Sequence, residues 1–183
     1  KKAFAIFEKC DDEYHKVNTE SALGLNLLFK GDWKKAESYL NQSAEKALDL
    51  NHHQIALFIC NAAQLQLLQG DFAEVENLLI QANTFADESK KDWIKIQISY
   101  YWSLCLLAQK RSSVAVKKAE ETIERCKKIN ETRFKSLILL VLADNCIQQN
   151  QVFEAEGLLQ QLEEKEASEN FYIKGSIATL RGL

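Results

Sequence analysis

The stretch LGLNLLFKGDWKKAESYL, from Leu23 to Leu40, returns 39 positions later as AAQLQLLQGDFAEVENLL, from Ala62 to Leu79, with Gly-Asp-aromatic held in register. WSLCLLAQKRSSVAVKKA from Trp102 and LADNCIQQNQVFEAEGLL from Leu142 continue the series at spacings of 40. A period of this length means that one supersecondary unit is stacked on itself, because a single unit cannot bury its own apolar face. The closing piece FYIKGSIATLRGL reads as the opening helix of a fifth copy, and roughly residues 1–14 read as a closing helix without its opening one. The expected organisation is therefore one repeat domain over 1–183: a partial repeat at 1–17, repeats at about 18–51, 52–90, 91–130 and 131–168, and a partial repeat at 169–183. With open ends and no methionine anywhere, the chain is expected to be a piece of a longer array.

Each copy is expected to be two antiparallel helices. Leu23, Leu27 and Leu28, then Ala36, Leu40 and Ala44, recur at three- and four-residue steps, which puts each set on one helical stripe. There is no proline and only 6 Gly in 183 residues, too little punctuation for a many-turned β fold. The fold class expected is all-α, with about ten helices. Gly31-Asp32 and Gly70-Asp71 supply the break: glycine takes the left-handed residue that ends the first helix, and aspartate caps the second. In the third copy Lys110-Arg111-Ser112 replaces that turn, and a deviating loop is expected there. Small residues stand at equivalent places, Gly24, Ala63, Ser103 and Ala143 in the first helix and Ala36, Val75, Ala115 and Ala155 in the second. They let the two backbones approach closely.

Leu23-Gly24, Gly31-Asp32-Trp33 and Ala36 resemble the signature of the tetratricopeptide repeat (TPR) family, and the likeness covers nearly the whole chain. The spacing of about 40 exceeds that family's usual ~34, and the usual proline after the second helix is missing. Longer repeats of this kind resemble the sensor arrays of MalT-like bacterial regulators and, less closely, the peptide-receptor arrays of Gram-positive quorum-sensing proteins. The resemblance implies a right-handed α-solenoid that binds a protein or peptide without catalysis, as part of a larger regulatory or signalling protein. The alternative it implies is an effector- or peptide-sensing array that switches an attached output domain such as a transcription regulator.

Chemistry is sparsely marked. Cys10, Cys60, Cys105, Cys126 and Cys146 are odd in number and widely spaced, so they read as buried thiols in a reducing compartment, neither a disulfide framework nor a zinc knuckle. His52-His53, beside Asp49 and Asn51, lacks a third or fourth metal ligand and reads as a polar helix start with Asn51 as cap. Glu120-Glu121 and Glu163-Glu164, with lysines nearby, read as solvated helix faces. No phosphate loop, nucleophile elbow or metalloprotease helix is present, so no enzyme, metal or cofactor is expected. Net charge is −3, and the stretch Gln109–Lys128 carries seven bases against three acids without interleaved aromatics, which gives no nucleic-acid signature. No apolar run reaches the ~18–20 residues that cross a bilayer, so no membrane contact and a cytoplasmic location are expected.

Stacked repeats curl so that their first helices line a concave groove. Counting six and three residues before each small residue, and one after, gives Asn18, Ser21 and Leu25; Leu57, Cys60 and Gln64; Gln97, Tyr100 and Leu104; Leu137, Leu140 and Asp144. These are the expected ligand-contacting residues. Among them only Asn18 matches the lysine, arginine and asparagine pattern of TPR co-chaperones that hold an acidic tail, so the wall should bind through apolar anchors and hydrogen bonds. Tyr100 is the chief candidate anchor, whereas Tyr101 and Trp102 are expected to pack in the core. In the fifth copy, the helix from about Glu169 to Leu183 lacks its partner, so Ile173, Ile177 and Leu180 should form an exposed apolar stripe that fosters weak self-association.

Overall fold

The structure, a computed structural model, describes residues 2–10, 12–165 and 170–182; Glu169 and Leu183, the expected ends of the last helix, lie outside them. Ten helices and no strand are found among the described residues: α1 (Lys2–Lys9), α2 (Glu13–Phe29), α3 (Trp33–Asp49), α4 (Ile55–Gln69), α5 (Phe72–Ser89), α6 (Asp92–Ala108), α7 (Ser112–Ile129), α8 (Thr132–Gln148), α9 (Val152–Lys165) and α10 (Phe171–Arg181). The fold is all-α, built from helical repeats that pack in sequence within each unit. None of these helices is long and apolar enough to cross a membrane. Two compact units divide it, Lys1–Ile98 and Ser99–Leu183, with the division inside α6.

The turns carry the period more faithfully than the residues do. Gly31, Gly70, Lys110 and Asn150 have φ of 80°, 81°, 60° and 59°, at spacings of 39, 40 and 40. Beyond each, an amide reaches back over a six-residue loop to a carbonyl of the finished helix: Asp32 to Leu27 (3.0 Å), Asp71 to Gln66 (3.1 Å), Arg111 to Leu106 (2.9 Å) and Gln151 to Cys146 (2.8 Å). This pair of a left-handed residue and a long back-bond satisfies the orphaned last carbonyls. The Lys110-Arg111-Ser112 loop therefore does not deviate, contrary to expectation: the backbone bonds fix its path and the lysine tolerates the left-handed conformation. That conformation costs a residue with a Cβ roughly 1–2 kcal/mol. Lys110→Gly should accordingly stabilise the chain by about 1 kcal/mol, read as a higher urea midpoint; an unchanged or lower midpoint would show that the strain is absent.

Capping is more varied. The Asp71 carboxylate accepts the Glu74 amide at 3.1 Å as expected, but Asp32, though it stands at the N-cap of α3, makes no such bond and pairs with Lys35 Nζ at 2.7 Å.

In the N-terminal unit α2 packs on α3, α3 on α4, and α4 on α5. The small residues lie where these helices meet: Ala36, Ala63 and Val75 have no exposed surface. Gly24 is the tightest point, since a Cβ there would come within 2.7 Å of Leu40 Cγ and 3.2 Å of the Leu40 amide nitrogen. Around it Leu28, Ala36, Leu40, Ala62 and Leu65 form one apolar cluster. Ala63→Leu should overpack the first helix of the second copy and cost about 1–3 kcal/mol; a variant that melts like the parent would contradict this register.

In the C-terminal unit α7 packs on α8, α8 on α9, and α10 on both α8 and α9. Ile173 and Ile177 are 1% and 3% exposed, buried with Leu139, Leu140, Leu159 and Leu162, and Leu180 packs at the edge of the same cluster. The exposed stripe expected on this helix is thus absent. An opening helix faces both helices of the preceding repeat, so it has a bed without its own partner. Arg181 fastens its end, pairing with Glu156 at 2.6 Å and Glu163 at 2.9 Å across to α9.

Candidate functional site

Three rows of side chains converge in the C-terminal unit. Tyr100 stands three residues before Ser103 on α6, and Leu140 three before Ala143 on α8; Ser103 and Ala143 are fully buried, which aims both helices the same way. Leu104 and Asp144 follow the small residues by one, and Leu137 precedes Ala143 by six. These five expected residues line a single cleft of about 560 Å³, within the ~300–1,000 Å³ range of ordinary ligand sites. Its far wall is α10, through Tyr172, Gly175, Ser176 and Thr179.

The α10 residues were not anticipated, although a signal for them exists. Setting Phe171 on Thr132, a shift of 39, puts Lys174 on Lys135, Ile177 on Ile138 and Gly182 on Ala143. Ser176 and Thr179 then fall on Leu137 and Leu140, the same two rows of the wall. The truncated copy obeys the rule that selects the others.

Tyr100 is half-buried, its ring 5.1 Å from Tyr101 and 5.8 Å from Phe134 between centroids. Burial pushes its phenol well above the ordinary range, with Tyr172 adding to the rise and Arg133 opposing it, so the hydroxyl remains a neutral donor at physiological pH. Tyr101 is buried at 8% exposure, as expected of a core residue, and half-buried Trp102 packs beside Leu106 and Val141 with Lys118 Nζ 5.9 Å above its ring. Asp144, half-buried, accepts one hydrogen bond from Gln148 Nε2 at 3.2 Å.

The expected residues of the N-terminal unit do not form a comparable wall. Cys60 has no exposed surface, Ser21 is 3% exposed and Gln97 8%. Asn61 Nδ2 donates to Ser21 Oγ at 3.0 Å, tying α2 to α4. Ser21 and Cys60, three before the small residues, are small and neighbouring helices close over them, whereas Tyr100 at the equivalent place stays half-buried. Asn18 spends its amide on the Tyr14 carbonyl at 3.3 Å, Leu25 packs at the edge of the core, and Leu57 and Gln64 are half-buried.

Two other clusters sit in the N-terminal unit. A hollow of about 510 Å³ gathers Lys16, Lys35 and Lys46 around Glu20. Each lysine has its own carboxylate: Lys16 with Glu13 at 2.9 Å, Lys35 with Asp32 at 2.7 Å and Lys46 with Glu20 at 2.7 Å. The charges cancel locally, which leaves little to attract an anion.

The second cluster collects all three histidines. His52 is 1% exposed, stacked on Tyr14 at 3.8 Å and set edge-on to Phe58 at 5.0 Å, with His53 at 4.8 Å. His53 Nδ1 is hydrogen-bonded to the Tyr14 hydroxyl, and His15 stacks on Phe7 at 5.4 Å. The polar helix start expected at 51–53 is thus replaced by an aromatic stack in which His52 is buried and Tyr14 and His53 are exposed: Asn51 is a left-handed residue with φ 46°, and the cap of α4 is Gln54. Tyr14, distant in sequence, supplies the apolar face that draws the ring inward.

Among the described residues no group of three or more His, Cys, Asp or Glu is placed to hold a metal ion. The described cysteines are free thiols; Cys60, Cys105 and Cys126 are buried, Cys146 is half-buried and Cys10 is exposed. Burial raises Cys60 and Cys146 and pushes Cys126 up to about 11, so these thiols are protonated and poor nucleophiles at neutral pH. No protein-family model matches the chain, and no curated protein matches it.

Proposed function

We propose that the chain is a non-catalytic scaffold that binds a protein or peptide segment in the cleft of its C-terminal unit. One observation carries this reading: positions selected only by counting from the repeat converge on one cleft, and α10 extends the same rows. The lining is mostly leucine, tyrosine, serine and threonine, which suits apolar anchors with a few hydrogen bonds. The likeness to tetratricopeptide repeats supports the same kind of ligand.

The test begins with dodecapeptides selected from a random display library on the folded chain, followed by calorimetry. Tyr100→Ala should weaken a cleft-bound peptide by about 1–2 kcal/mol, or roughly 5–30-fold. Lys117→Ala, on α7, should change little, and affinity should fall only slightly between low and high salt. A ligand that ignores Tyr100, requires Lys117 and Lys118 and dissociates in salt would move the site to the basic helix and overturn the proposal.

A further inference from the structure

The charge of the cleft says more about its occupant. Among the lining residues Asp144 is the one formal charge; no lysine, arginine or histidine lines the space. Among the described residues its carboxylate has one hydrogen-bond partner, the Gln148 amide on Oδ2. A ligand that fills the cleft strips water from that carboxylate, and a desolvated charge is costly unless a cation or several donors replace the water. An acidic segment would meet repulsion with no compensating base. A wholly apolar one would leave Asp144 dry and unpaired.

Width points to the segment's backbone. Gly175 lies in the middle of α10, where glycine is unfavourable relative to alanine. A Cβ added there would meet nothing within 4 Å, so packing does not require glycine. Its side of α10 faces the cleft, and the missing methyl leaves room there. Gly157 on α9 is equally unconstrained but lies away from the cleft, which makes it a matched control.

We infer that the cleft recognises a peptide segment with one lysine or arginine set between apolar residues, the cation seated on Asp144 and the backbone running past Gly175. This rests on the proposal that the cleft binds peptides. The apolar neighbours occupy the space around Tyr100, Leu104 and Leu140, and Ser176 offers its hydroxyl to the segment's backbone, while Thr179 Oγ1, which donates to the Gly175 carbonyl at 2.9 Å, offers an acceptor.

The experiment uses the selected dodecapeptides as synthetic sets in which the basic residue is kept, replaced by norleucine or replaced by glutamate. Each is titrated into the parent, Asp144→Asn, Gly175→Ala, Gly157→Ala and Tyr100→Ala chains, whose melting temperatures are recorded alongside. The norleucine peptide should bind the parent about tenfold more weakly, and the glutamate peptide more weakly still. Asp144→Asn should lose a similar factor for the basic peptide and no longer distinguish it from norleucine, because removing either charge removes the same pair. Gly175→Ala should weaken binding without lowering the melting temperature, and Gly157→Ala should leave binding unchanged. Peptides that require Tyr100 but bind equally with norleucine, or equally to Asp144→Asn, would overturn the cation assignment while the peptide-binding proposal stands. If no peptide is selected, or those selected ignore Tyr100, the proposal itself fails and this inference with it.

Discussion

Gly24→Ala and Leu40→Ala should each destabilise the chain, and the double variant should lose much less than the sum. Leu40 is fully buried, and its Cγ and Cδ2 would lie 2.7 and 2.8 Å from a Cβ at position 24. Truncating it removes apolar burial and leaves a cavity, at about 2–5 kcal/mol. Gly24→Ala gains up to ~1 kcal/mol of helix propensity, but the new methyl must displace Leu40 or part α2 from α3, at about 1–3 kcal/mol. In the double variant the methyl enters space that the leucine has vacated. A coupling of 0.5–3 kcal/mol is the usual range for side chains in contact. Urea denaturation of the four chains measures it, and additive losses would mean that position 24 does not face Leu40. The Leu40 amide, 3.2 Å from the same point, does not move with the side chain. The double variant should therefore remain below Leu40→Ala corrected for helix propensity.

That close approach was legible beforehand because a glycine at one period stands where alanine or serine stands at the others, and only helix contact demands smallness there. The left-handed turns were legible at Gly31 and Gly70 but hidden at Lys110, because a lysine carries no sign of φ. There the six-residue back-bond from Arg111 to Leu106 imposes the turn from outside. Half of the cleft followed from counting. The other half needed the register of the truncated fifth copy, and the burial of Ile173 and Ile177 needed the recognition that an opening helix rests on the two helices before it. The first two sets of the counted groove failed for a packing reason: Ser21 and Cys60 are small enough for neighbouring helices to close over them. Periodicity tells which face a residue is on, and the packing of neighbouring helices decides whether that face stays open.

Acidification should destabilise the N-terminal unit below about pH 6.5 through His52. The Gln54 amide donates to His52 Nδ1 at 3.1 Å, so the proton of the neutral ring is on Nε2, which is buried and lacks a well-formed hydrogen bond. A second proton on Nδ1 would break the Gln54 bond and place a charge against Tyr14 and Phe58. Burial accordingly holds the His52 imidazole below its usual range, with His53, Lys91 and His15 reinforcing the shift and the Tyr14 main chain opposing it. His53 is shifted in the same direction by burial and Lys91. Asp12 is the anion of the cluster, and it is engaged by His15 at 2.8 Å. Because the folded pKa lies below that of the unfolded chain, the unfolded state binds the proton first as pH falls. The stabilisation is complete above the unfolded value of ~6.5 and declines below it until the folded ring also titrates. The carboxylates of Asp12, Glu13 and Asp32 are held low by their donors, so their contributions are lost only at more acidic pH, below about 4.5. Melting temperatures between pH 7.5 and 5 isolate the histidine effect. His52→Asn retains an acceptor for the Gln54 amide in an Asx turn and removes the titrating ring. It should melt lower than the parent at pH 7.5 and vary less with pH, with a smaller slope remaining from His53. A parent whose melting temperature holds or rises between pH 7.5 and 5, or a His52→Asn chain with the parent's slope, would show that the buried ring does not set the pH response.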